Sequence, residues 1–252
     1  MSEPTMAALP GVVSRECSDI LIKIATTRHE RAGAFGLAYQ SYLQAGLCGP
    51  SAAAMRITPH QLHPCTDVFV ALLRGEVIST LSLVRDGELG LPLEAVYPDE
   101  VRARRAAGIR LGEVSCLADR RREPARFFGL FSDLARLMTQ TAERDGIDQL
   151  LIAVHPRHAR MYRRAMGFEQ VGEYREYEAV NGNPAVALCL DLKFVREQRP
   201  EIWGRFVGEP LPAAVLRPCP MPVADVGYFS NLVGAPTQAR FRGDAPALAS
   251  CG

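Results

Sequence analysis

Apolar positions along this chain of 252 residues switch between two periods, and the switches mark its elements. Residues 19–26, DILIKIAT, are apolar on both faces and predict a first strand. ERAGAFGLAYQSYLQAG, over about 30–46, predicts a helix, with Phe35, Tyr39 and Tyr42 at helical spacing and Gly46 at the C-cap. Residues 47–65 carry Pro, Gly and Ser and read as a connection. TDVFVALLRG and EVISTLSLVRD are apolar runs joined at Arg74-Gly75, a hairpin signal. A short helix in GLPLEAVYPDEVRARRAAG ends near Gly108.

LGEVSCLAD (111–119) predicts another strand. The best helix follows it, with Phe127, Leu130, Phe131, Leu134, Leu137, Met138 and Thr141 in one stripe and Gly146 just past its end. IDQLLIAV is a further strand, followed by a helix that starts at Pro156 and stops at Gly167-Phe168. FEQVGEYREYEAV and PAVALCLDL form a closing hairpin through Asn181-Gly182-Asn183. The order predicts an α/β chain with one mixed sheet, preceded by a flexible N-terminus over 1–18. Beyond Lys193 prolines become frequent and periodicity fades, so 194–252 reads as a Pro-rich C-terminal extension partly packed on the core.

Composition narrows the function. Hydrophobic residues make up 48% and charged residues 23%, as in a globular protein, and a formal net charge of +1 argues against a general nucleic-acid binder. Arginines nevertheless cluster at 102–110, 120–126 and 157–164. The seven cysteines are odd in number and scattered without CxxC or Cys/His spacing, which gives no support to a metal site and suits a reducing cytoplasm. No signal peptide is indicated, and no segment approaches the roughly 20 apolar residues of a membrane span.

Three stretches carry candidate chemistry. In LGEVSCLAD, strand alternation puts Leu111, Glu113, Ser115 and Leu117 on one face and Gly112, Val114, Cys116 and Ala118 on the other. Glu113 sits mid-strand among apolar neighbours, where burial raises a carboxyl's pKa toward the range of a general base, with Ser115 beside it. An edge strand with Glu113 solvated reads equally well. Arg120, Arg121 and Arg122 lead into a helix with Pro124 near its first turn, which makes either a phosphate site or a solvated basic surface. The helix after Pro156 carries Arg157, Arg160, Arg163 and Arg164 on its exposed sides, and its Tyr162 reads as packing or as a group aimed at the strand mouth. His155 reads as a structural strand-end residue and His158 as a surface one.

Together these stretches resemble the GNAT acyltransferase superfamily, and within it the N-acyl amino acid synthases, relatives of the acyl-homoserine-lactone autoinducer synthases. The resemblance rests on TDVFVALLRGEVISTLSLVRDGELGLPLEAVYPDE, on LGEVSCLAD and on LLIAVHPRHARMYRRAMGFEQVGEYREYEAVNGNPAVALCLDL. It covers roughly 19–193, the expected acyltransferase domain, and more loosely 194–229. It implies a mostly antiparallel mixed sheet flanked by helices, with two central strands, LGEVSCLAD and DQLLIAVHP, that splay apart. It also implies transfer of a medium or long acyl chain from acyl carrier protein to the amine of an amino acid, with no permanently bound cofactor. The co-substrate is then the acyl-phosphopantetheine of the carrier protein, or an acyl-CoA.

By the same resemblance, Glu113 is the base, Tyr162 the acid for the leaving thiolate and Ser115 an accessory group. Cys116, Leu117, Ala118, Asp119, Arg121, Arg122, Val154 and His155 would hold the donor arm. Arg120, Arg126, Arg157, Arg160, Arg163 and Arg164 would dock an acidic carrier protein. An apolar slot would draw on Phe35, Tyr39, Tyr42, Leu43, Val77, Leu81, Leu83, Phe127 and Phe131, although ordinary core packing explains the same residues and is the preferred reading of each one singly.

The chain departs from the pattern in places. Arg121-Arg122-Glu123-Pro124-Ala125-Arg126 stands where coenzyme-A-dependent GNATs have a glycine-bearing pyrophosphate loop, which favours the carrier protein as donor. Cys116 occupies a frequent Arg position, and Tyr162 lies one residue farther from Gly-Phe than usual. The competing readings are an acetyl-CoA-dependent GNAT and a catalytically degenerate acyl-chain sensor. A lactone synthase follows, without any sign of an S-adenosylmethionine pocket.

Overall fold

The computed structural model describes residues 11–15, 17–121 and 124–233, without the side chains of 124–127. In chain order the elements are β1 (Val12–Val13), β2 (Ile20–Ile24), α1 (Arg28–Gln44), α2 (Pro59–Leu62), β3 (Thr66–Leu73), β4 (Glu76–Arg85), α3 (Pro98–Ala106), β5 (Leu111–Asp119) and α4 (Pro124–Arg144). They continue with β6 (Gln149–Val154), α5 (Pro156–Met166), β7 (Glu169–Gln170), β8 (Arg175–Tyr177), β9 (Asn183–Asp191), α6 (Leu192–Gln198), α7 (Pro200–Phe206) and α8 (Val223–Leu232).

The strands form one sheet in the order β1-β2-β3-β4-β5-β6-β9-β7, with β8 also paired to β9. Every pairing is antiparallel except β5 with β6. The parallel pair follows from α4, which carries the chain across one face between those strands, as a parallel connection requires. The predicted mixed, mostly antiparallel sheet flanked by helices is therefore the architecture found. The Asn181-Gly182 turn has positive φ at both residues, 57° and 68°, which suits Asn and Gly.

Side-chain alternation divides the core between the sheet's two faces. One cluster packs Leu81, Leu83, Leu150 and Ile152 under Leu130, Phe131, Leu134 and Leu137 of α4, with Met166 of α5 and Phe206 of α7. On the other face, Val68, Val70 and Val77 lie under Phe35, Leu37 and Ala38 of α1 and Phe229 of α8. Beside them Val84, Leu111 and Leu151 pack against Leu93, Tyr97 and Val101. Burial of these apolar surfaces is the main stabilising contribution.

The segment after β9 is pinned at several points. The Phe229 ring meets Phe35 edge-on, with centroids 5.0 Å apart. Arg31 is fully buried; it donates to the Cys219 carbonyl at 3.1 Å and pairs with Asp225 at 3.4 Å. The Cys219 amide donates to Asp67, which also takes Arg85, and Arg85 reaches on to Asp145. This buried set ties β3, β4, the end of α4 and the C-terminal segment together. Removing one partner would strand a buried charge. Among the described residues Cys17, Cys48, Cys116, Cys189 and Cys219 are free thiols. Among the described residues no helix is long and apolar enough to cross a membrane.

Candidate active site

Two central strands part because each is held by a different neighbour. β5 pairs with β6 only at Leu111–Gln149, Gly112–Leu150 and Glu113–Leu151. Beyond that point β6 stays bonded to β9 as far as Val154–Val186, while β5 follows β4 as far as Asp119–Ser79. The result is a fork with Glu113 at its apex. Among the described residues, 114–119 have no strand partner on the β6 side, which leaves an edge of the kind an extended ligand can pair with.

β5 also carries a bulge. Ser82 faces Ser115 and Thr80 faces Ala118, so three residue steps on β5 oppose two on β4. Cys116 absorbs the extra residue with a φ of 54°. The face assignment from strict alternation holds before the bulge: a Cβ on Gly112 would meet Ile147, Leu83 and Leu150, on the α4 face. Past the bulge it fails. Val114 and Leu117 both pack on the α4 face, whereas Cys116 and Ala118 join the α1 face. Cys116 therefore shares Glu113's face rather than opposing it, and Leu117 leaves it.

Glu113 is 3% exposed, so the reading of a solvated edge is excluded. The Leu93 amide donates to its Oε2 at 2.8 Å, from the 3-10 turn Pro92–Ala95. Burial pushes its pKa up to about 8; the Leu93 amide pulls it down, and neighbouring Glu94 adds to the rise. Titrating near neutrality is what a proton acceptor for an amine needs. Burial also raises the phenols of Tyr42 and Tyr177, and both feel the charge of Glu113. The Tyr177 hydroxyl donates to the Pro92 carbonyl at 3.0 Å, which braces the turn that holds the carboxylate.

A cation that the sequence reading passed over completes this face. Arg56 belongs to the loop before α2, fixed when its amide donates to the Phe35 carbonyl at 3.0 Å. Its guanidinium lies over the Tyr42 ring, 4.1 Å from the centroid, and Nη2 donates to the Ala179 carbonyl at 3.2 Å. Burial disfavours its charge, but Cys116 and Tyr42 outweigh burial and hold the pKa above its usual value. Nothing in a Pro/Gly/Ser-bearing connection flags such a residue; only the fold carries it to β5.

Across the sheet lies the second set of predicted residues. His155 caps α5, its Nδ1 accepting from the Arg157 amide at 3.2 Å, so its role is in starting the helix. Tyr162 is wedged edge-on between Phe131 and Phe168, with centroids 6.5 and 5.7 Å away, and burial raises its pKa to about 12. It sits with the α4 cluster, on the face opposite Glu113, so the two do not touch. Arg157, Arg160, Arg163 and Arg164 are exposed along α5, as is Arg120 beyond β5. Arg121 is not free for a donor: its amide and guanidinium both bind Asp119, at 2.7 and 3.1 Å. Ser115 and Val154 are half-buried beside the fork. Arg122 and the side chains of Arg126 and Phe127 lie outside the described residues.

Five of the residues named for an apolar slot are divided between the two faces of the sheet. Phe35 and Val77 are packed on the α1 face, while Leu81, Leu83 and Phe131 are packed on the α4 face. The sheet separates them, and they fill core.

Known proteins share this fold. The family model of the N-acyl amino acid synthase FeeM matches residues 33–191, more than half of the chain. The solved structure of FeeM, from uncultured soil microbes, is 26% identical with a TM-score of 0.61, covering 71% of this chain and 95% of its own. The acyl-homoserine-lactone synthase LasI is 15% identical with a TM-score of 0.57, over 76% of this chain and 98% of its own. BjaI, a CoA-dependent acyl-homoserine-lactone synthase solved with SAM and isopentyl-CoA, is 16% identical with a TM-score of 0.52, over 77% and 97%. At those identities the two lactone synthases show the shared fold alone. No curated protein sequence matches the chain. A forked sheet with a buried carboxylate at its apex and a family match across that whole region lead to one assignment: the chain belongs to the N-acyl amino acid synthase FeeM family and is an N-acyltransferase.

Proposed function

We propose that the protein moves a medium or long acyl chain from the phosphopantetheine of acyl carrier protein to the amine of an amino acid, with Glu113 as base. The observation that carries this reading is Glu113 itself, buried at the apex of the fork with a pKa pushed up to about 8. The donor arm enters the gap between β5 and β6 from the α4–α5 face, along the unpaired edge of 114–119. The amine approaches from the α1 face. Glu113, directly or through one water, takes a proton from the ammonium group, the neutral nitrogen attacks the thioester carbonyl carbon, and the adduct's nitrogen gives its second proton to water as the adduct collapses. The N–C bond forms and the C–S bond breaks. Tyr162, protonated to high pH, gives its proton to the thiolate and is reprotonated from solvent. This division explains why Tyr162 and Glu113 lie on opposite faces: each serves one substrate.

Arg157, Arg160, Arg163 and Arg164, exposed on α5, and Arg120 suit an acidic carrier protein. Such a donor also places the reaction in the cytoplasm. Coenzyme A is the competing donor, since BjaI shares the fold and is CoA-dependent. Incubating purified protein with acyl carrier proteins of different chain lengths, acyl-CoAs and a pool of amino acids, then analysing by mass spectrometry, separates the two. N-acyl amino acids formed faster from the carrier protein support the proposal; intact thioesters throughout overturn it.

A further inference from the structure

We propose that Arg56 is the anchor for the acceptor's α-carboxylate, so that the enzyme selects amino acids over simple amines. This rests on the acyl-transfer reading above and names the group that distinguishes its acceptor. The Arg56 Nε is buried and has no hydrogen-bond partner, and the guanidinium takes part in no ion pair with any described carboxylate. Its neighbours are a neutral carbonyl, the Tyr42 ring and the Cys116 thiol. That leaves one buried donor unsatisfied, and an arriving carboxylate would supply its partner. A guanidinium with a free Nε offers the planar fork that binds a carboxylate in two parallel bonds.

Position supports the choice of ligand. Arg56 donates to the carbonyl of Ala179, two residues beyond Tyr177, whose hydroxyl bonds Pro92 in the turn that holds Glu113. Cys116 lies on that same face because of the β5 bulge, and it acts on the Arg56 charge. An α-amino acid carries its amine and its carboxylate on a single carbon. Held by Arg56, it would turn its nitrogen toward Glu113 and the mouth of the fork. A simple amine has nothing for Arg56 to hold.

The test pairs each amino acid with the amine that lacks only its carboxylate, and measures kcat/KM for both with acyl carrier protein as donor. The wild-type enzyme should favour the amino acid by about 10²-fold, the scale of a charged hydrogen-bonded pair. In Arg56→Met that ratio should fall toward one, and Arg56→Lys should restore part of it. Equal losses for both acceptors in Arg56→Met, with the ratio intact, would overturn the anchor while leaving acyl transfer standing. If the wild-type enzyme acylates neither acceptor, the acyl-transfer reading is what fails. NMR titration then decides the anchor alone: amino acid binding lost in Arg56→Met supports it, and binding unchanged overturns it.

Discussion

The Leu93 amide donates to Glu113 Oε2 at 2.8 Å across the loop that closes over β5, yet the carboxyl still prefers its proton. One neutral donor lowers the pKa by less than full burial raises it. The folded state therefore holds the neutral acid more readily than the unfolded chain, whose carboxyl titrates near 4.5. The stability this contributes is complete below that value and is lost as pH rises through about 8. Glu113→Gln, neutral at every pH, escapes the loss. Thermal unfolding between pH 5 and 9 should show the variant gaining several degrees on the parent as pH rises, a shift on the order of a few kcal/mol. Parallel curves would mean that Glu113 titrates normally.

Cys116 holds the bulge with a φ of 54°, a conformation that side chains branched at Cβ resist. Valine is the more apolar replacement in this buried position, and alanine the smaller. Urea unfolding should nonetheless find Cys116→Val less stable than Cys116→Ala, by about 1–2 kcal/mol. The reverse order would place the extra residue elsewhere in β5.

Reversing charge on α5 tests the carrier-protein face. Arg160→Glu with Arg163→Glu should lower kcat/KM for acyl carrier protein by roughly 10–10³-fold at low salt. The deficit should shrink as salt is raised, because the attraction is screened. An uncharged acyl-pantetheine should be used equally well by both proteins. Loss with that small donor too would mean that the substitutions damage the site itself.

Tyr162→Phe removes only a hydroxyl and keeps the edge-on packing with Phe131 and Phe168. Its Tm should stay close to that of the parent. Steady-state kinetics should show kcat falling by about 10–10²-fold with KM little changed, as expected for loss of a proton donor. A fall of less than about threefold would remove Tyr162 from the mechanism and leave it as packing.

What the sequence made legible was whatever repeats with a period or needs a particular turn residue. The α4 stripe, the Arg74-Gly75 hairpin and the Asn181-Gly182 turn all emerge where periodicity and turn chemistry place them. Glu113 stood out because a carboxylate in an apolar strand breaks the pattern. The bulge at Cys116 did not, since nothing local marks a cysteine with positive φ, and one inserted residue reverses every face after it. Arg56 was hidden for a different reason. Its place beside Cys116 and Tyr42 is set by long-range pairing of loops with strands, which no window of sequence contains. The division of the slot residues was hidden likewise, because Phe35 and Phe131 lie on opposite faces of a sheet whose faces only the register defines.

The most direct trial is the pH dependence of acyl transfer for the parent and for Glu113→Gln, with acyl carrier protein saturating. The parent's rate should climb with an apparent midpoint near 8 and then level, as Glu113 loses its proton. Glu113→Gln should lack that rise and run about 10²–10⁴-fold slower at pH 8.5. If the variant matches the parent in both rate and profile, Glu113 is not the base and the proposed chemistry is wrong.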